Sequence, residues 1–372
     1  MGIQWFIIFT VLIILFQRTI FDKLALRNIK YTRYFSQEAV FEGETVEMIE
    51  EIVNQKVLPV PWLRLESKFS SHLQFKQQST LEIVDNQFHR SLFSLMPYQK
   101  VTRRHYITAE KRGHYWQNFV TMSSGDPFGL VIKKQEIDVS ADIYIYPQLV
   151  PIEDIPLPST SWQGDITVRR WIMEDPFIIA GVREYSTGDP MKSVNWNATA
   201  RTNSLQVSKM DYTSDHHLMI YVNFDLTEDI WMPIKDEAII EKAISYAASI
   251  AQHSIEQGIG TGFGCNSYII EPDEEVKRIK HSVRVEPGSG QDQLQYIFQT
   301  MAKVKMDRSM NFNSFLGEDI SFNRKDTDIL IITVYVTETM EQQIRELESN
   351  GNSIEVLLLN DTVTDEIGDN HD

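Results

Sequence analysis

A chain of 372 residues exceeds one ordinary core, so its length predicts two or more domains. Hydrophobic residues make up 42% and aromatics 11%, which suits folded material, while a formal net charge of −17 argues against general nucleic-acid binding because a polyanion would be repelled. The single cysteine, Cys265, excludes an internal disulfide framework and a thiolate cluster for zinc, and it fits a reducing compartment.

The chain starts with MGIQWFIIFTVLIILF, apolar apart from Gln4 and Thr10. Continued through Ile20 and Phe21, the run approaches the roughly 20 residues that cross a bilayer. A cleaved signal peptide is the rival reading. No Lys or Arg precedes the run and no small-x-small site follows it, which favours an anchor over residues 1–22. Arg18, Lys23, Arg27, Lys30 and Arg33 follow, opposed by Asp22. By the positive-inside rule that flank stays in the cytoplasm, so a single pass with a cytoplasmic main body is expected.

Residues 34–150 read as short strands separated by turns. AVFEGETVEMIEEIVNQ alternates, with Val46, Met48 and Ile52 facing one way, and VLPVPWLRLESKF, SLFSLMPYQ, VTRRHYITAEKRG and YWQNFVTMSS follow. Their regular spacing predicts a β-sandwich-like, immunoglobulin-like domain. The proline-rich ADIYIYPQLVPIEDIPLPST then marks a domain boundary.

Residues 160–214 contain REYSTGDPMKSVNWNATARTNSLQV, dense in polar groups and aromatics. Gly188 can take a positive φ and Pro190 fixes the next one, so STGDP is a turn. Arg183 and Arg201 could clamp Glu184 or Asp189, and Trp196 and Tyr185 are large enough to fill a seam between domains. Buried together these groups make a satisfied polar network; exposed, they make a binding face. No nucleophile accompanies them, which favours structural or binding use over catalysis.

From residue 215 to 360 the pattern changes to a doubly wound α/β domain. DHHLMIYVNFD and TDILIITVYV are buried strands, IGTGFGCNS a weaker one, and SIEVLLLN the last. KDEAIIEKAISYAASIAQHSIEQG is a helix with an apolar stripe through Ile240, Ile244, Ala247, Ala248, Ala251 and Ile255, and QDQLQYIFQTMAKV and ETMEQQIRELESNG are two more. The alternation predicts a parallel sheet with helices on both faces. GIGTGFG resembles a dinucleotide loop, but its glycines follow a helix and lead into a strand, the reverse of a phosphate cradle. His216 and His217 are adjacent, so in a strand they point to opposite faces and cannot share a metal. Asp225, Thr227 and Asp229 in DLTED follow the first strand, where such sheets bind ligands, and their oxygens suit Mg²⁺ or Mn²⁺. Acidic residues there also cap helices. Residues 361–372 form an acidic tail.

Together these segments resemble the domain of unknown function 58 family, bacterial membrane-anchored proteins associated with MoxR-type AAA+ ATPases. The core motif is similar through Arg183, Tyr185, Gly188, Asp189, Val194, Trp196, Ala200 and Arg201, and LPVPWLRLE, KRGHYWQ, SGDPFGL and IYPQLV match habitual segments in the same order. The resemblance implies a von Willebrand factor type A-like α/β domain behind the β-rich one. The chain departs from it twice. Asp225-x-Thr227-x-Asp229 replaces the D-x-S-x-S of a full metal-ion-dependent adhesion site, and one membrane span stands where relatives often have two. Two functions are then expected in competition. One is a non-enzymatic adaptor, partnered by the membrane, a MoxR-type ATPase and other envelope or secretory proteins, with no nucleic acid. The other is a metal-assisted hydrolase using Asp225, Asp229 and Asp189.

Overall fold

The computed structural model describes residues 2–75, 81–84, 88–157, 174–186, 194–202, 204–212, 217–227, 233–270 and 280–359. The chain divides into two compact units: 1–149 with 269–278 and 298–304, and 150–268 with 279–297 and 305–372.

The first unit opens with helix α1 (Gly2–Leu24). Its stretch Ile3–Leu24 is long and apolar enough to cross a membrane. The hydroxyls of Thr10 and Thr19 donate to the carbonyls of Phe6 (2.8 Å) and Leu15 (2.9 Å), so these two side chains are satisfied within the helix, as an apolar surrounding requires.

Ten strands follow: β1 (Ile29–Phe35), β2 (Ala39–Phe41), β3 (Thr45–Asn54), β4 (Val60–Lys68), β5 (Leu73–Phe75), β6 (Leu81–Val84), β7 (Phe88–Leu95), β8 (Lys100–Ala109), β9 (Gly113–Gly125) and β10 (Ile132–Tyr146). They form a four-stranded sheet, β1-β3-β8-β5, and a six-stranded one, β2-β10-β9-β4-β7-β6. All pairs are antiparallel except β2 with β10. The result is β-sandwich-like. β3 alternates strictly, so that Val46, Met48, Glu50 and Ile52 are all buried.

Glu50 in that row belongs to a polar layer that cuts the core in two. Arg33 on β1, Glu50 on β3, Ser67 on β4, His89 on β7, His105 on β8 and Gln117 on β9 are all buried. On one side lie Ile52, Leu63, Leu65, Phe93, Leu95 and Met122; on the other lie Val46, Met48, Phe69, Ile107, Ile143 and Ile145. Arg33 spans the sheets, donating to Glu50 Oε1 at 2.6 Å, to Ser67 Oγ at 3.0 Å, and to Gln117. Further hydrogen bonds offset the cost of burying an ion pair, and Arg33 draws them from both sheets through its two terminal nitrogens, its Nε having no partner among the described residues.

The second unit contains β11 (Glu174–Glu184), α2 (Trp196–Thr202) and β12 (Gln206–Tyr212), the two strands pairing antiparallel as a separate small sheet. The α/β sheet follows, built from β13 (His217–Val222), α3 (Glu237–Glu256), β14 (Gly260–Cys265), β15 (Val283–Gly288), α4 (Gln291–Lys303), α5 (Phe312–Ser321), β16 (Thr327–Thr333), α6 (Glu338–Ser349) and β17 (Ser353–Leu358). From Phe298 onward, α4 groups with the first unit.

The strand order is β15-β14-β13-β16-β17. β13, β14, β16 and β17 are parallel, but β15 runs antiparallel to β14, which corrects the expected all-parallel sheet to a mixed one. A lone antiparallel edge strand is a common variation in doubly wound sheets. Met219 and Tyr221 pack with Phe312, Phe315 and Leu316 of α5 and Met340 and Leu347 of α6. α3 packs against β13 and β14, and every residue of its expected apolar stripe is buried. Asp236 caps it, accepting from the amides of Ala238 and Ile239.

The glycines of GIGTGFG find their reason here. A Cβ at Gly262 would fall 2.3 Å from Met219 Sδ and 2.5 Å from the Val285 carbonyl. The residue is glycine because its neighbours pack onto the bare backbone of β14.

Candidate functional site

β13 leads to one side of the sheet through β14, and the chain later crosses to β16 on the other side. The carboxyl ends of β13 and β16 are therefore the topological switch point, where open α/β sheets place ligands. Asn223, Asp225 and Thr333 meet there. Asn223 Nδ2 donates to Thr333 Oγ1 at 3.0 Å, and Asn223 Oδ1 accepts the Asp225 amide at 2.8 Å. Asn266, just beyond β14, accepts the Phe224 amide at 2.9 Å and donates to Asp225 Oδ1 at 3.2 Å.

Asp225 is buried, and its carboxylate accepts from three donors. Phe312 N–H, in the first turn of α5, donates to Oδ2 at 2.8 Å, where the helix dipole favours an anion. Asn266 Nδ2 and an Arg308 guanidinium nitrogen, the latter at 3.4 Å, share Oδ1. Burial pushes the Asp225 carboxyl up from its ordinary range, opposed by the Phe312 amide and by Arg308.

This arrangement does not fit the expected Mg²⁺ or Mn²⁺ site. A hard cation wants converging oxygens, but the groups around Asp225 are N–H donors, one of them cationic. Thr333 Oγ1 already donates to the Tyr335 carbonyl at 2.8 Å. Thr227 is exposed, and Asp229 lies outside the described residues. Asp225 is thus a structural carboxylate that joins β13 to the start of α5. Of the trio Asp225, Asp229 and Asp189 expected of a hydrolase, Asp189 and Asp229 lie outside the described residues.

The motif around Trp196 sits on the small sheet. Arg183 pairs with Val207 and Glu184 with Gln206, and Tyr185 N–H donates to Leu205 O at 2.9 Å. Asn195 Oδ1 accepts the Ala198 amide at 3.1 Å, starting α2. Thr199 Oγ1 then accepts the Gln206 amide at 2.9 Å, which holds α2 against β12. Trp196 is 63% exposed, so it fills no core, and this corrects the seam-filling expectation. The physical reason is the shortness of α2, whose described residues include none that is buried. Arg183, Ala200 and Arg201 are exposed, and Tyr185 is half-buried. Arg183 donates to the Glu184 carbonyl at 3.2 Å; of the two carboxylates it was expected to clamp, Glu184 and Asp189, the second lies outside the described residues. Gly188 and Asp189 lie outside the described residues. Val182 on β11 and Leu205 just ahead of β12 are also exposed and add apolar surface.

A third cluster escaped the sequence reading altogether. Glu50 Oε1 accepts from Arg33 at 2.6 Å and from Tyr31 Oη at 2.7 Å, while Oε2 lies 2.9 Å from His105 Nε2. Burial alone would raise the Glu50 carboxyl, but Arg33, and behind it His105, holds it well below the usual carboxylate range. Burial pushes His89 down to about 3 and raises the Tyr31 phenol. The available signal was Glu50 itself, a charge at an inward position of an alternating strand.

The architecture is that of an apolar N-terminal helix, a β-sandwich-like region and a mixed α/β sheet. Residues 181–362 match the family model described as Protein of unknown function DUF58, and this segment of the chain belongs to that family. No curated protein matches the chain. Among solved structures, a non-cellulosomal cohesin from Archaeoglobus fulgidus is similar at 13% identity, covering 31% of this chain and 91% of that one with a TM-score of 0.22. The CARDB domain of the PF1109 protein from Pyrococcus furiosus is similar at 11% identity, covering 31% and 96% with a TM-score of 0.18. The second type II cohesin module of the ScaA scaffoldin from Acetivibrio cellulolyticus is similar at 9% identity, covering 32% and 97% with a TM-score of 0.22.

Proposed function

We propose that this chain is a membrane-anchored, non-enzymatic adaptor. It works with a MoxR-type AAA+ ATPase in the assembly or maturation of cell-envelope or secretory proteins. α1 is its single-pass anchor, and the units behind it lie in the cytoplasm. The β-sandwich-like region is read as immunoglobulin-like and the α/β sheet as von Willebrand factor type A-like. The doubly wound strand order, with a carboxylate at its switch point, supports the latter reading.

The observation that carries the proposal is the exposure of both Trp196 and Arg201 on a short helix held to a small sheet. Trp and Arg are among the residues most enriched at the hot spots of protein interfaces. The switch-point carboxylate argues in the same direction, because Asp225 is already committed to Phe312, Asn266 and Arg308.

The test is affinity purification of the full chain from detergent-solubilised membranes, with and without ATP. The wild type should retain an AAA+ ATPase, and Trp196→Ala and Arg201→Ala should lose it while melting as the wild type does. Equal recovery with all three proteins would remove this surface from the interaction.

A further inference from the structure

Three donor groups with no role in the proposed partner surface meet inside the sandwich. Glu50 on β3 and His105 on β8 belong to one sheet and His89 on β7 to the other, and one ligand atom from each lies within 4.8 Å of the other two. The Glu50 Oε2–His105 Nε2 distance of 2.9 Å is already close to the spacing of about 3.3 Å that tetrahedral bonds of 2.0–2.1 Å impose on neighbouring ligands.

His89 is the anomaly in this layer. It is 2% exposed, yet neither ring nitrogen has a hydrogen-bond partner among the described residues. Burying a polar group unpaired costs stability, so an imidazole with both nitrogens idle asks for an explanation. Its ring is held by stacking on Phe75, with centroids 4.9 Å apart, and stands edge-on to His105 at 5.0 Å. Glu50 is oriented from behind. Arg33 and Tyr31 occupy its Oε1, which leaves Oε2 facing the imidazoles, and such outer partners are what hold a metal's carboxylate ligand in place.

We propose that Glu50 Oε2, His105 Nε2 and a ring nitrogen of His89 form a zinc site that ties the two sheets of the sandwich together. Two imidazoles and a carboxylate suit zinc among the divalent ions, whereas magnesium and calcium prefer all-oxygen sets. Closing the site from 4.8 Å to about 3.3 Å needs a movement of up to about 1.5 Å, which the His89 ring supplies by rotating without losing a hydrogen bond, while the proton that Glu50 Oε2 and His105 Nε2 share leaves to solvent as the ion enters. Arg33 limits the affinity, because its charge already offsets that of Glu50. A water-derived hydroxide in the fourth position, its proton released to solvent, lowers the excess positive charge that remains.

The full chain, purified in detergent and stripped with EDTA, is titrated with Zn²⁺ and its metal content measured after desalting. About one zinc per chain should be retained, with a melting temperature several degrees above the stripped protein, as linkage requires of an ion that binds the folded state alone. His89→Phe keeps the aromatic stack on Phe75 and removes the idle nitrogens. It should melt at or above the stripped wild type and show no response to zinc. His105→Gln, which still offers a donor toward Glu50, should lose the response as well. A wild type that stays folded yet retains no zinc overturns the site, as does an undiminished response in His89→Phe. An equal shift with Mg²⁺ or Ca²⁺ also overturns it, because the ion would then be sitting on surface carboxylates.

Discussion

The Arg308 guanidinium stands 3.4 Å from Asp225 Oδ1, at the point of the sheet where a bound cation was expected. The arginine belongs to the segment ahead of α5, so the chain supplies its own positive charge to its switch-point carboxylate. Millimolar Mg²⁺ or Mn²⁺ should therefore move the melting temperature of the wild type by less than about 1 °C, since linkage stabilises only through binding. A rise of several degrees that Asp225→Ala abolishes would show that Arg308 yields to the ion. Arg308→Ala should itself destabilise by about 1–3 kcal/mol, below the usual range for a broken buried pair because the Phe312 and Asn266 donors remain. Denaturant melts of the two variants measure both effects.

Trp196→Ala should change stability by no more than about 0.5 kcal/mol, as surface substitutions do. A buried tryptophan would cost about 3–5 kcal/mol, so urea titration separates the two cases without knowledge of any partner.

Asp328 predicts a pH dependence in the opposite sense to an ordinary salt-bridged acid. Burial, and then the charge of Glu355, pushes its carboxyl up to about 7 from a reference of 3.8. The folded chain thus holds this proton more tightly than the unfolded one. The favourable contribution is fully present below about pH 4 and is lost as pH rises through 7. Asp328→Asn should stabilise by about 1–2 kcal/mol at pH 8, a figure discounted for partial exposure, and by nothing measurable at pH 4. A gain of equal size at both pH values would assign the effect to packing.

Topology gives the fourth prediction. Arg18 and Lys23 lie in the carboxyl-terminal part of α1 and Arg27 just beyond it, so a reporter fused after Asp372 should work only if it functions in the cytoplasm. Activity of a reporter that functions only outside the cytoplasm would reverse the orientation.

Legibility in the sequence followed the range of the interactions. α3 and β13 could be read because their apolar residues recur at local periods and their ends carry local signals such as Asp236. β15 was missed because RVEPG holds an exposed Glu286 and a proline, and only its pairing with β14 makes it a strand. α5 was missed because it is ten residues long with Gly317 inside, and its stability comes from Phe312, Phe315 and Leu316 packing onto the sheet. At the switch point, Asp225 was named, but Arg308 lies 83 residues away and no spacing rule couples them. Trp196 was misplaced because size predicts the area a side chain can bury and says nothing of whether a partner surface exists to bury it.

The polar layer across the sandwich bears on how the strands find their alignment during folding. Shifting β1 by two residues against β3 would keep every inward side chain inward, so a pattern of apolar and polar alternation cannot reject that error. It would, however, carry Arg33 away from Glu50 and set Met48 or Ile52 opposite it, leaving charges buried without partners. The layer therefore acts as a keyway. It admits the strands at one setting and penalises the near-degenerate ones, a discrimination that the apolar halves on either side of it cannot make.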